Sequence, residues 1–335
     1  MRVALVTGAT GLVGTYLVER LVADGWHVRA LVRAPAQAPW LEAAGASLIA
    51  GDIMDGSRFR AAAEGCDAIF HAAAVVTAGG GWETFRTANI GGTENAIAAA
   101  AASGAKLLHV SSVAVYGGAA RYRDTPTDEE TPLGPLPDGA HYARSKRDAE
   151  LLVLQAHADK RIWACAVRPD VIYGRRDRQF VPRLAKAMDR GFFPIFGGGR
   201  STMAIVHATS VADGAVRAVE TDAAGGRVYN LANDFDVTVN EFVRLGAEGL
   251  GRTVRKVPVA IPLARAGFKA ISLALRVTKG PSMSRDAVNT LWFLSKDNPF
   301  SSERARRELG WAPKVRPEIS IPEAFRWWKE RRAQM

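Results

Sequence analysis

The sequence predicts an α/β fold, a doubly wound parallel sheet with a smaller, mostly helical C-terminal lobe. Short apolar strands alternate with helical patterns, a glycine-rich turn follows the first strand, and the alternation becomes irregular after residue 169. The 335 residues exceed what one ordinary domain holds, and a hydrophobic content of 48% can fill a core domain plus a lobe.

The chain opens with a strand, a tight turn and a helix. Residues 3–6 are apolar, Thr7-Gly8-Ala9-Thr10-Gly11-Leu12-Val13-Gly14 follows, and Leu17 and Leu21 continue at helical spacing. Gly8 permits the turn, Gly11 lets the backbone approach a pyrophosphate, and Gly14 lets helix and strand pack closely. This order predicts a dinucleotide-binding Rossmann domain.

Later segments repeat the alternation and return the chain to the core. Further strands are predicted over residues 27–33, 47–49, 68–70, 105–110, 164–167 and 227–231. Residues 118–139 are predicted to form a long loop, of the kind that often borders active sites. Because a helix over 211–219 precedes the last strand, the domains are expected to be interleaved. The predicted division is 1–168 and 205–232 for the dinucleotide-binding domain, and 169–204 and 233–335 for the substrate lobe.

The end of the second strand indicates which nicotinamide cofactor is bound. A carboxylate that holds a ribose 2′-hydroxyl is expected about 20 residues beyond the glycine turn. Val32 stands there instead, and Arg33 follows. An arginine there can hold a 2′-phosphate, so NADP(H) is favoured. NAD(H) is the alternative if Arg33 is only a solvated loop residue.

A tyrosine and a lysine at helical spacing form a candidate proton-transfer pair. Tyr142 and Lys146 are four residues apart, and Ser111-Ser112 lies upstream. Residues at i and i+4 share a helix face, so the Lys146 ammonium can favour the ionised form of the Tyr142 phenol. Taken alone, the pair is typical of a helix surface and the serines of a turn. Behind a phosphate-binding turn, together they predict acid/base chemistry beside a nicotinamide.

These motifs resemble the extended short-chain dehydrogenase/reductase family, also called the NAD(P)-dependent epimerase/dehydratase superfamily. The resemblance covers nearly the whole chain and is closest to dihydroflavonol-reductase-like and 3β-hydroxysteroid-dehydrogenase-like members. Besides the motifs above, it rests on Gly51-Asp52-Ile53, His71-Ala72-Ala73-Ala74, Ala88-Asn89-Ile90-Gly91-Gly92-Thr93, Ser111-Ser112-Val113-Ala114-Val115-Tyr116-Gly117, Arg168-Pro169-x-x-x-Tyr173-Gly174 and Glu308-Leu309-Gly310-Trp311-x-Pro313.

The resemblance implies catalytic roles. Tyr142 would be the general acid/base for an alcohol or carbonyl oxygen, and Ser112 would polarise that oxygen. Lys146 would lower the pKa of the tyrosine and bind the nicotinamide ribose. Asn89 matches a fourth family position, with a structural or proton-relay role. A homodimer through two surface helices is common in the family.

The expected cofactor contacts come from the glycine turn, from the second strand and from the resemblance. They are Gly8, Thr10, Gly11, Leu12, Val13, Gly14, Arg33, Asp52, Ile53, Ala72, Ala73, Ala74, Lys146 and Pro169. Asp52 resembles the family's adenine contact. His207 matches a family position too, but Thr209-Ser210 replaces the acidic pair that usually follows it, so a structural hydrogen bond is predicted for His207.

Composition indicates a soluble, cytoplasmic enzyme without a metal site. The longest apolar stretches are broken by charge well before the eighteen residues of a membrane span, and the N-terminus is a strand rather than a signal peptide. Cys66 and Cys165 form no disulfide framework and have no His or Cys at metal-ligand spacing. Nucleic acid is not expected as a partner, because no recognised binding motif occurs.

The formal net charge of +10 is unevenly placed. Residues 244–299 hold ten Lys/Arg against three Asp/Glu, residues 300–335 hold nine against five, and residues 1–243 have a net charge of −1. The basic lobe can attract an anionic substrate, a phosphate or an acidic membrane surface. A merely solvated basic surface is the alternative.

An amphipathic helix is predicted within that lobe, over 261–277. Its cations, Arg265, Lys269 and Arg276, fall on one side. Its apolar residues fall on another side, and they are Ala264, Phe268, Ile271 and Leu275. A helix packed on the lobe is the plain interpretation, and an apolar lid that docks on a membrane surface is the alternative. The apolar side of this helix is expected to be extended by Val288, Leu291, Trp292, Phe293 and Leu294.

The favoured function is that of an NADP-dependent oxidoreductase, a reductase or dehydrogenase, that interconverts a ketone and a secondary alcohol on a fairly apolar small molecule. The alternative is a nucleotide-sugar epimerase or dehydratase with resident NAD, in which Arg175, Arg176 and Arg178 bind the pyrophosphate. A non-catalytic nicotinamide-sensing module is disfavoured, because the serine, tyrosine and lysine are all present.

Overall fold

A computed structural model describes residues 1–76, 81–117, 126–232, 235–279 and 290–334. Its strands are β1 Val3–Thr7, β2 His27–Val32, β3 Ser47–Ala50, β4 Ala68–His71, β5 Lys106–Val110, β6 Ala164–Pro169, β7 Val171–Tyr173, β8 Phe192–Phe196, β9 Ile205–His207, β10 Val228–Leu231 and β11 Arg255–Val259. Seven of them form one sheet in the order β10-β6-β5-β4-β1-β2-β3. Every pairing in this sheet is parallel.

Helices cover both faces of the sheet, and others form the lobe. They are α1 Leu12–Ala23, α2 Pro39–Ala43, α3 Gly56–Ala63, α4 Gly81–Phe85, α5 Gly92–Ser103, α6 His141–Ala158, α7 Phe180–Met188, α8 Ala208–Glu220, α9 Val239–Leu250, α10 Ile261–Lys279, α11 Glu303–Leu309 and α12 Pro317–Ala333. A π-helical segment, Arg86–Gly91, joins α4 to α5. The predicted doubly wound fold is therefore confirmed.

Alternating side chains of the strands pack into two hydrophobic cores, one on each face of the sheet. Ala4 and Val6 of β1 pack with α1 and α8 on one face, and Leu5 between them packs with α3, α5 and α6 on the other. Both sets are fully buried. This period of two, with apolar residues on both sides, is what a parallel sheet covered by helices requires.

The lobe has a core of its own, built around Phe242 of α9 and Phe325 of α12. Local sequence fixes the start of α9, where Thr238 and Glu241 form a capping box. The lobe is mostly helical, as predicted, but it also contains two short parallel pairs, β8 with β11 and β7 with β9. The sequence missed these strands because their partners lie far apart in the chain.

The predicted division of the chain into two domains stays a prediction. Trp311, which follows α11, is buried in the same core as α1 and α8, and its indole Nε1 donates to the Ser210 carbonyl at 2.8 Å. The chain thus returns to the sheet domain a second time, within the range assigned to the lobe.

Several predictions concern segments at the edge of the described residues. The helix predicted over 261–277 is α10, with Ala264 buried and Phe268 half-buried. The side chains of Ile271, Leu275 and Arg276 lie outside the described residues, as does Val288. The predicted loop over 118–139 is described from residue 126 onward. There Arg147 of α6 donates to the Gly134 carbonyl at 2.6 Å and so ties the loop to α6.

Candidate active site

The glycine turn lies where the strand order of the sheet reverses, between β1 and β4. Gly8 has a φ of +67°, and a Cβ there would lie 2.6 Å from the Ala73 nitrogen, after β4. A Cβ on Gly14 would collide with the Gly8 carbonyl oxygen, so α1 can approach the turn only with glycine at that position. Ligands of doubly wound sheets bind at such a reversal.

The turn suits the pyrophosphate of a dinucleotide. Gly11 is exposed and stands before the first residue of α1, where no side chain caps the helix. The first N–H groups of α1 therefore have no side-chain acceptor and can serve an anion. The residues of the turn fit the cofactor that the sequence predicts.

Ser112 stands just beyond the end of β5. It begins a short 3-10 helix, Val113–Tyr116, and its Oγ accepts a hydrogen bond from the Ala114 nitrogen at 3.2 Å. The hydroxyl hydrogen of Ser112 can then be donated to a carbonyl oxygen of a substrate. This is the property that polarisation of a ketone requires.

Lys146 is buried on α6, one turn after the half-buried Tyr142. Its Nζ donates to the carbonyl of Val110, two residues before Ser112, and lies 3.3 Å from His109 Nε2. The structure thus joins the helix of Tyr142 to the strand end that carries Ser112. The catalytic roles of Tyr142, Lys146 and Ser112 stay predictions.

The environment of Lys146 weakens its hold on a proton. Burial lowers the pKa of Lys146 from 10.5 to about 7, and the carboxylate of Glu150, one turn further along α6, opposes this shift. An ammonium in an apolar site loses its hydration, which is why burial disfavours the charged form. Lys146 is consequently poised to gain or lose a proton at neutral pH.

A buried histidine on β4 extends the polar region beneath the site. His71 Nδ1 lies 2.8 Å from Thr7 Oγ1, and its Nε2 lies 3.2 Å from Thr93 Oγ1. Thr93 Oγ1 donates to the Asn89 carbonyl at 2.7 Å, so it must accept from His71 Nε2–H. Burial, with a smaller effect of Lys146, lowers the pKa of His71 to about 3. His71 is therefore neutral and fixed in one tautomer.

His109 on β5 is the register partner of His71. When Lys146 is protonated its ammonium can only donate, so His109 Nε2 then accepts and the proton of the neutral ring is on Nδ1. Burial, then Lys146 and His71, lower the pKa of His109 well below its ordinary value. The sequence did not single out His109, and its only signal was a polar residue within an apolar strand.

Asn89 sits in the π-helical segment, buried beside the site. Its Oδ1 accepts from the Val75 nitrogen at 2.7 Å, and its Nδ2 donates to the Val75 carbonyl at 3.0 Å and to Ser145 Oγ at 2.9 Å. Ser145 Oγ in turn donates to the Tyr142 carbonyl. Asn89 therefore connects the segment after β4 to the first turn of α6. A catalytic part for Asn89 stays a prediction.

A buried ion pair that the sequence missed anchors α6 to β6. Arg168 Nη2 and Nε donate to the two carboxylate oxygens of Glu150 at 2.5 and 3.0 Å. Burial alone would lower the pKa of Arg168, but the hydrogen bonds and charge of Glu150 raise it above its ordinary value. The motif Arg168-Pro169 marked the arginine, whereas nothing local marked its partner.

The remaining expected cofactor contacts lie at or after the ends of strands or at the start of α1. Thr10, Leu12, Val13, Asp52, Ile53, Ala72, Ala73 and Ala74 are half-buried, and Pro169 is buried at the end of β6. Asp52 Oδ1 accepts from the Met54 nitrogen at 2.9 Å, which shapes its turn. Arg33 is exposed directly after β2 and has no hydrogen bond or ion pair within the described part of the chain.

Two of the three arginines considered for a sugar pyrophosphate are already engaged. Arg175 pairs with Glu19 at 3.3 Å and with Glu323 at 3.1 Å, and Arg176 lies 4.4 Å above the ring of Trp40. Arg178 is exposed.

His207 is packed between aromatic rings rather than facing solvent. The ring centroids of Tyr173 and Tyr16 lie 5.1 and 5.5 Å from that of His207. Burial, then Arg175, lower the pKa of His207 to about 4. The structural role predicted for His207 stays a prediction.

Both cysteines, Cys66 and Cys165, are buried and free. Within the described residues, no group of three or more His, Cys, Asp or Glu side chains could hold a metal ion. A search of the same residues finds no helix that is long and apolar enough to cross a membrane.

Comparisons with known proteins identify the family of the chain. The model of the NAD dependent epimerase/dehydratase family matches residues 4–232. A ketoreductase of a farnesylated dihydroquinoline oxide from Stigmatella aurantiaca is 33% identical over 311 residues, 92% of each chain. A 2-alkyl-3-oxoalkanoate reductase from Stenotrophomonas maltophilia is 32% identical over 331 residues, 96% of this chain and 97% of the reductase.

Solved structures show the same fold. A UDP-glucuronic acid 4-epimerase from Bacillus cereus in complex with NAD has a TM-score of 0.75, with 21% identity, over 99% of this chain and 100% of the epimerase. The chain belongs to the NAD dependent epimerase/dehydratase family and is an NAD(P)-dependent oxidoreductase.

Proposed function

We propose that the chain interconverts a ketone and a secondary alcohol on a fairly apolar small molecule, with NADPH as the preferred reductant. The observation that carries the proposal is the setting of Lys146. It is a buried amine, one helical turn from Tyr142, and it is bound to the strand end that leads into Ser112.

The chain's residues supply the proton and the orientation for this reaction. Ser112 donates a hydrogen bond to the ketone oxygen, and Tyr142 donates the proton that this oxygen gains as it becomes an alcohol. Lys146, through its charge, stabilises the phenolate that remains. The bound nicotinamide supplies the hydride to the carbonyl carbon in reduction and takes it back in oxidation.

The preference for NADPH rests on the end of β2. Val32 is buried and offers no acceptor for a ribose 2′-hydroxyl, while Arg33 is exposed and without a partner among the described residues. A guanidinium in this place binds a 2′-phosphate through charge-assisted hydrogen bonds.

An apolar substrate is supported by the relatives' names. The two reductases at 33% and 32% identity act, by those names, on a farnesylated quinoline ring and on alkyl-substituted oxoalkanoates. The nucleotide-sugar alternative has less support. Arg175 and Arg176 are held by Glu19, Glu323 and Trp40, and the likeness to the epimerase at 21% identity concerns the fold.

The first experiment identifies the cofactor. The purified protein is denatured and any released nucleotide is identified, and the stripped protein is titrated with NADPH and NADH by nicotinamide fluorescence. Exchangeable NADPH of higher affinity than NADH is expected. A protein filled with NAD that does not exchange would contradict the proposal and favour internal redox on a nucleotide sugar.

Arg33→Asp tests the reading of the 2′-phosphate. The variant should lower the affinity for NADPH by about tenfold or more and change the affinity for NADH little. The reason is that a charge-assisted contact to one phosphate contributes about 1.5 to 3 kcal/mol. Arg161→Asp, at an exposed position beyond the end of α6, is the control for the charge change. Equal losses for the two cofactors would show that Arg33 does not contact the 2′-phosphate.

Tyr142→Phe tests the acid/base role with a homologous series of hydrophobic ketones. The turnover number should fall by about 100-fold or more, with cofactor affinity nearly unchanged. The matched control is Tyr229→Phe on the edge strand β10, which removes a hydroxyl that donates to Glu308 of α11. An unchanged turnover number for Tyr142→Phe would overturn the assignment.

A further inference from the structure

The lobe carries an exposed surface that is both basic and apolar, and that takes no part in the site described above. It combines the edge strand β11, the start of its partner β8 and the first turns of α10. We call it the lobe surface and define it by Phe192, Arg255, Lys256, Val257, Leu263, Arg265 and Lys269.

The charge of the lobe surface is of one sign and is not neutralised. Between residues 252 and 279 the sequence holds seven Lys/Arg and no Asp or Glu. Arg255, Lys256 and Lys269 are exposed and form no ion pair within the described ranges. Several exposed arginines elsewhere on the molecule do have carboxylate partners, as Arg2 has Glu220 at 2.7 Å. The lobe surface therefore keeps a positive field that an anionic partner can meet.

The apolar side chains of the lobe surface are unusually exposed. Leu263 is 69% exposed, Phe192 43% and Val257 36%. On α10, Ala264 is buried and Phe268 half-buried against the lobe core, and Leu263 points away from them. Water surrounds these groups at a cost in free energy, which is recovered when an apolar medium covers them. A helix with apolar side chains flanked by cations is typical of segments that lie in the interface of a membrane.

We propose that the lobe surface docks on an anionic lipid bilayer. Arg255, Lys256 and Lys269 would contact lipid phosphates, and Leu263 would enter the boundary between headgroups and acyl chains. This binding needs neither cofactor nor turnover. If the proposed function holds as well, docking would bring the active site close to the phase in which an apolar ketone dissolves.

The test is sedimentation of the purified full chain with vesicles. Vesicles of phosphatidylcholine in which about a third of the lipid is phosphatidylglycerol should retain the protein at about 0.1 M salt, and vesicles of phosphatidylcholine alone should retain at least tenfold less. Raising the salt to about 0.5 M should weaken binding, because it screens the cations.

Two variants separate the two contributions. Lys256→Ser/Lys269→Ser should lower binding to anionic vesicles by about tenfold or more, because each basic side chain near such a surface contributes on the order of fivefold. Leu263→Asp should lower binding to both kinds of vesicle. Neither variant should change the circular dichroism spectrum or the affinity for NADPH, because the substituted side chains are exposed and outside the site.

Matched controls are available on other surfaces. Ile319→Asp changes an apolar side chain of similar exposure, 62%, on α12, where Glu318 and Glu323 are its neighbours. Lys160→Asn/Arg161→Ser removes two exposed cations beyond the end of α6, with asparagine chosen for the positive φ at position 160. Neither control should lower vesicle binding.

Three outcomes would overturn the proposal. The first is equal retention on anionic and neutral vesicles, or none on either. The second is a loss of binding with the double lysine variant but not with Leu263→Asp, which would indicate a soluble polyanion as the partner. The third is an equal loss in the controls. None of them bears on the cofactor titration, so failure of the docking proposal is distinguishable from failure of the proposed function.

Discussion

Replacing Lys146 by methionine should stabilise the folded protein while removing its activity. Burial lowers the pKa of Lys146 from 10.5 to about 7. The unfolded chain keeps the ordinary pKa, so between these two values it binds more protons than the folded chain does. The stability of the unaltered protein should therefore rise with pH across this window, and the penalty for burying Lys146 is fully present below pH 7.

The penalty can be estimated from the two pKa values. At 1.36 kcal/mol for each tenfold step in acidity, it amounts to about 4 kcal/mol at pH 7 and about 2 kcal/mol at pH 9. Methionine is similar in length and carries no charge, so it removes the penalty and leaves little cavity. It also removes the donor to the Val110 carbonyl and to His109, which costs about 1 to 3 kcal/mol. The expected net gain at pH 7 is about 1 to 3 kcal/mol.

Urea unfolding at several pH values is the assay. The advantage of Lys146→Met over the unaltered protein should shrink by about 2 kcal/mol from pH 7 to pH 9, with unchanged dependence on urea. Lys106→Met is the control. Lys106 is only partly buried and pairs with Asp222 at 2.6 Å. Its substitution should therefore leave the free energy of unfolding unchanged or lower it by up to about 1 kcal/mol. A Lys146→Met protein that is less stable at pH 7, or whose advantage does not change with pH, would refute this reasoning.

Three further predictions concern the same helix and its neighbours. Glu150→Gln should lower the free energy of unfolding in urea by about 3 to 5 kcal/mol, because Arg168 is left as a buried, unpaired cation. The double variant Glu150→Met/Arg168→Met should lose much less stability, and an equal loss would contradict the pairing. Folded His71 has a pKa of about 3, so stability should fall as pH drops below about 6.5, where the unfolded ring gains a proton. His71→Asn should reduce that slope without abolishing it, because the folded pKa values of His109 and His207 are lowered as well; an unchanged slope would show that those other groups cause it. The family resemblance predicts a homodimer through surface helices, and we propose α6 as such a helix because its Leu151 is 50% exposed. Leu151→Asp should then convert the dimer to monomers in light scattering, while Ile319→Asp should not; an unaltered protein that is already monomeric would rule out a dimer through α6.

The sheet domain was predictable because its signals are local. Each strand of the sheet is a short apolar run, and each change of period from two to 3.6 marks the next helix. The glycine turn is as local: the collisions that a side chain would cause at Gly8 and Gly14 involve the turn itself and the segment after the neighbouring strand β4. A single sequence contains all the information that such features need.

The lobe was harder to predict because its contacts are not local. Strand β11 reads Arg-Lys-Val-Pro-Val and is exposed along most of its length, so it lacks the apolar run of a buried strand. It becomes a strand only because β8, more than fifty residues earlier, pairs with it. The π-helical segment around Asn89 ends at Gly91, but a glycine marks the end of many helices and does not reveal a π-helix. The partner of Arg168 could be found only in three dimensions.

The hydrogen bonds of Asn89 bear on whether it contacts the substrate or positions other residues. Both polar atoms of its side chain are engaged, the oxygen by the Val75 nitrogen and the nitrogen by the Val75 carbonyl and Ser145. Its own carbonyl accepts from Thr93, which also holds His71. An amide whose hydrogens already have acceptors cannot bind a substrate without giving up one of them. We therefore predict that Asn89 acts on the reaction through the position of α6, and with it of Tyr142, rather than through contact with the reacting atoms.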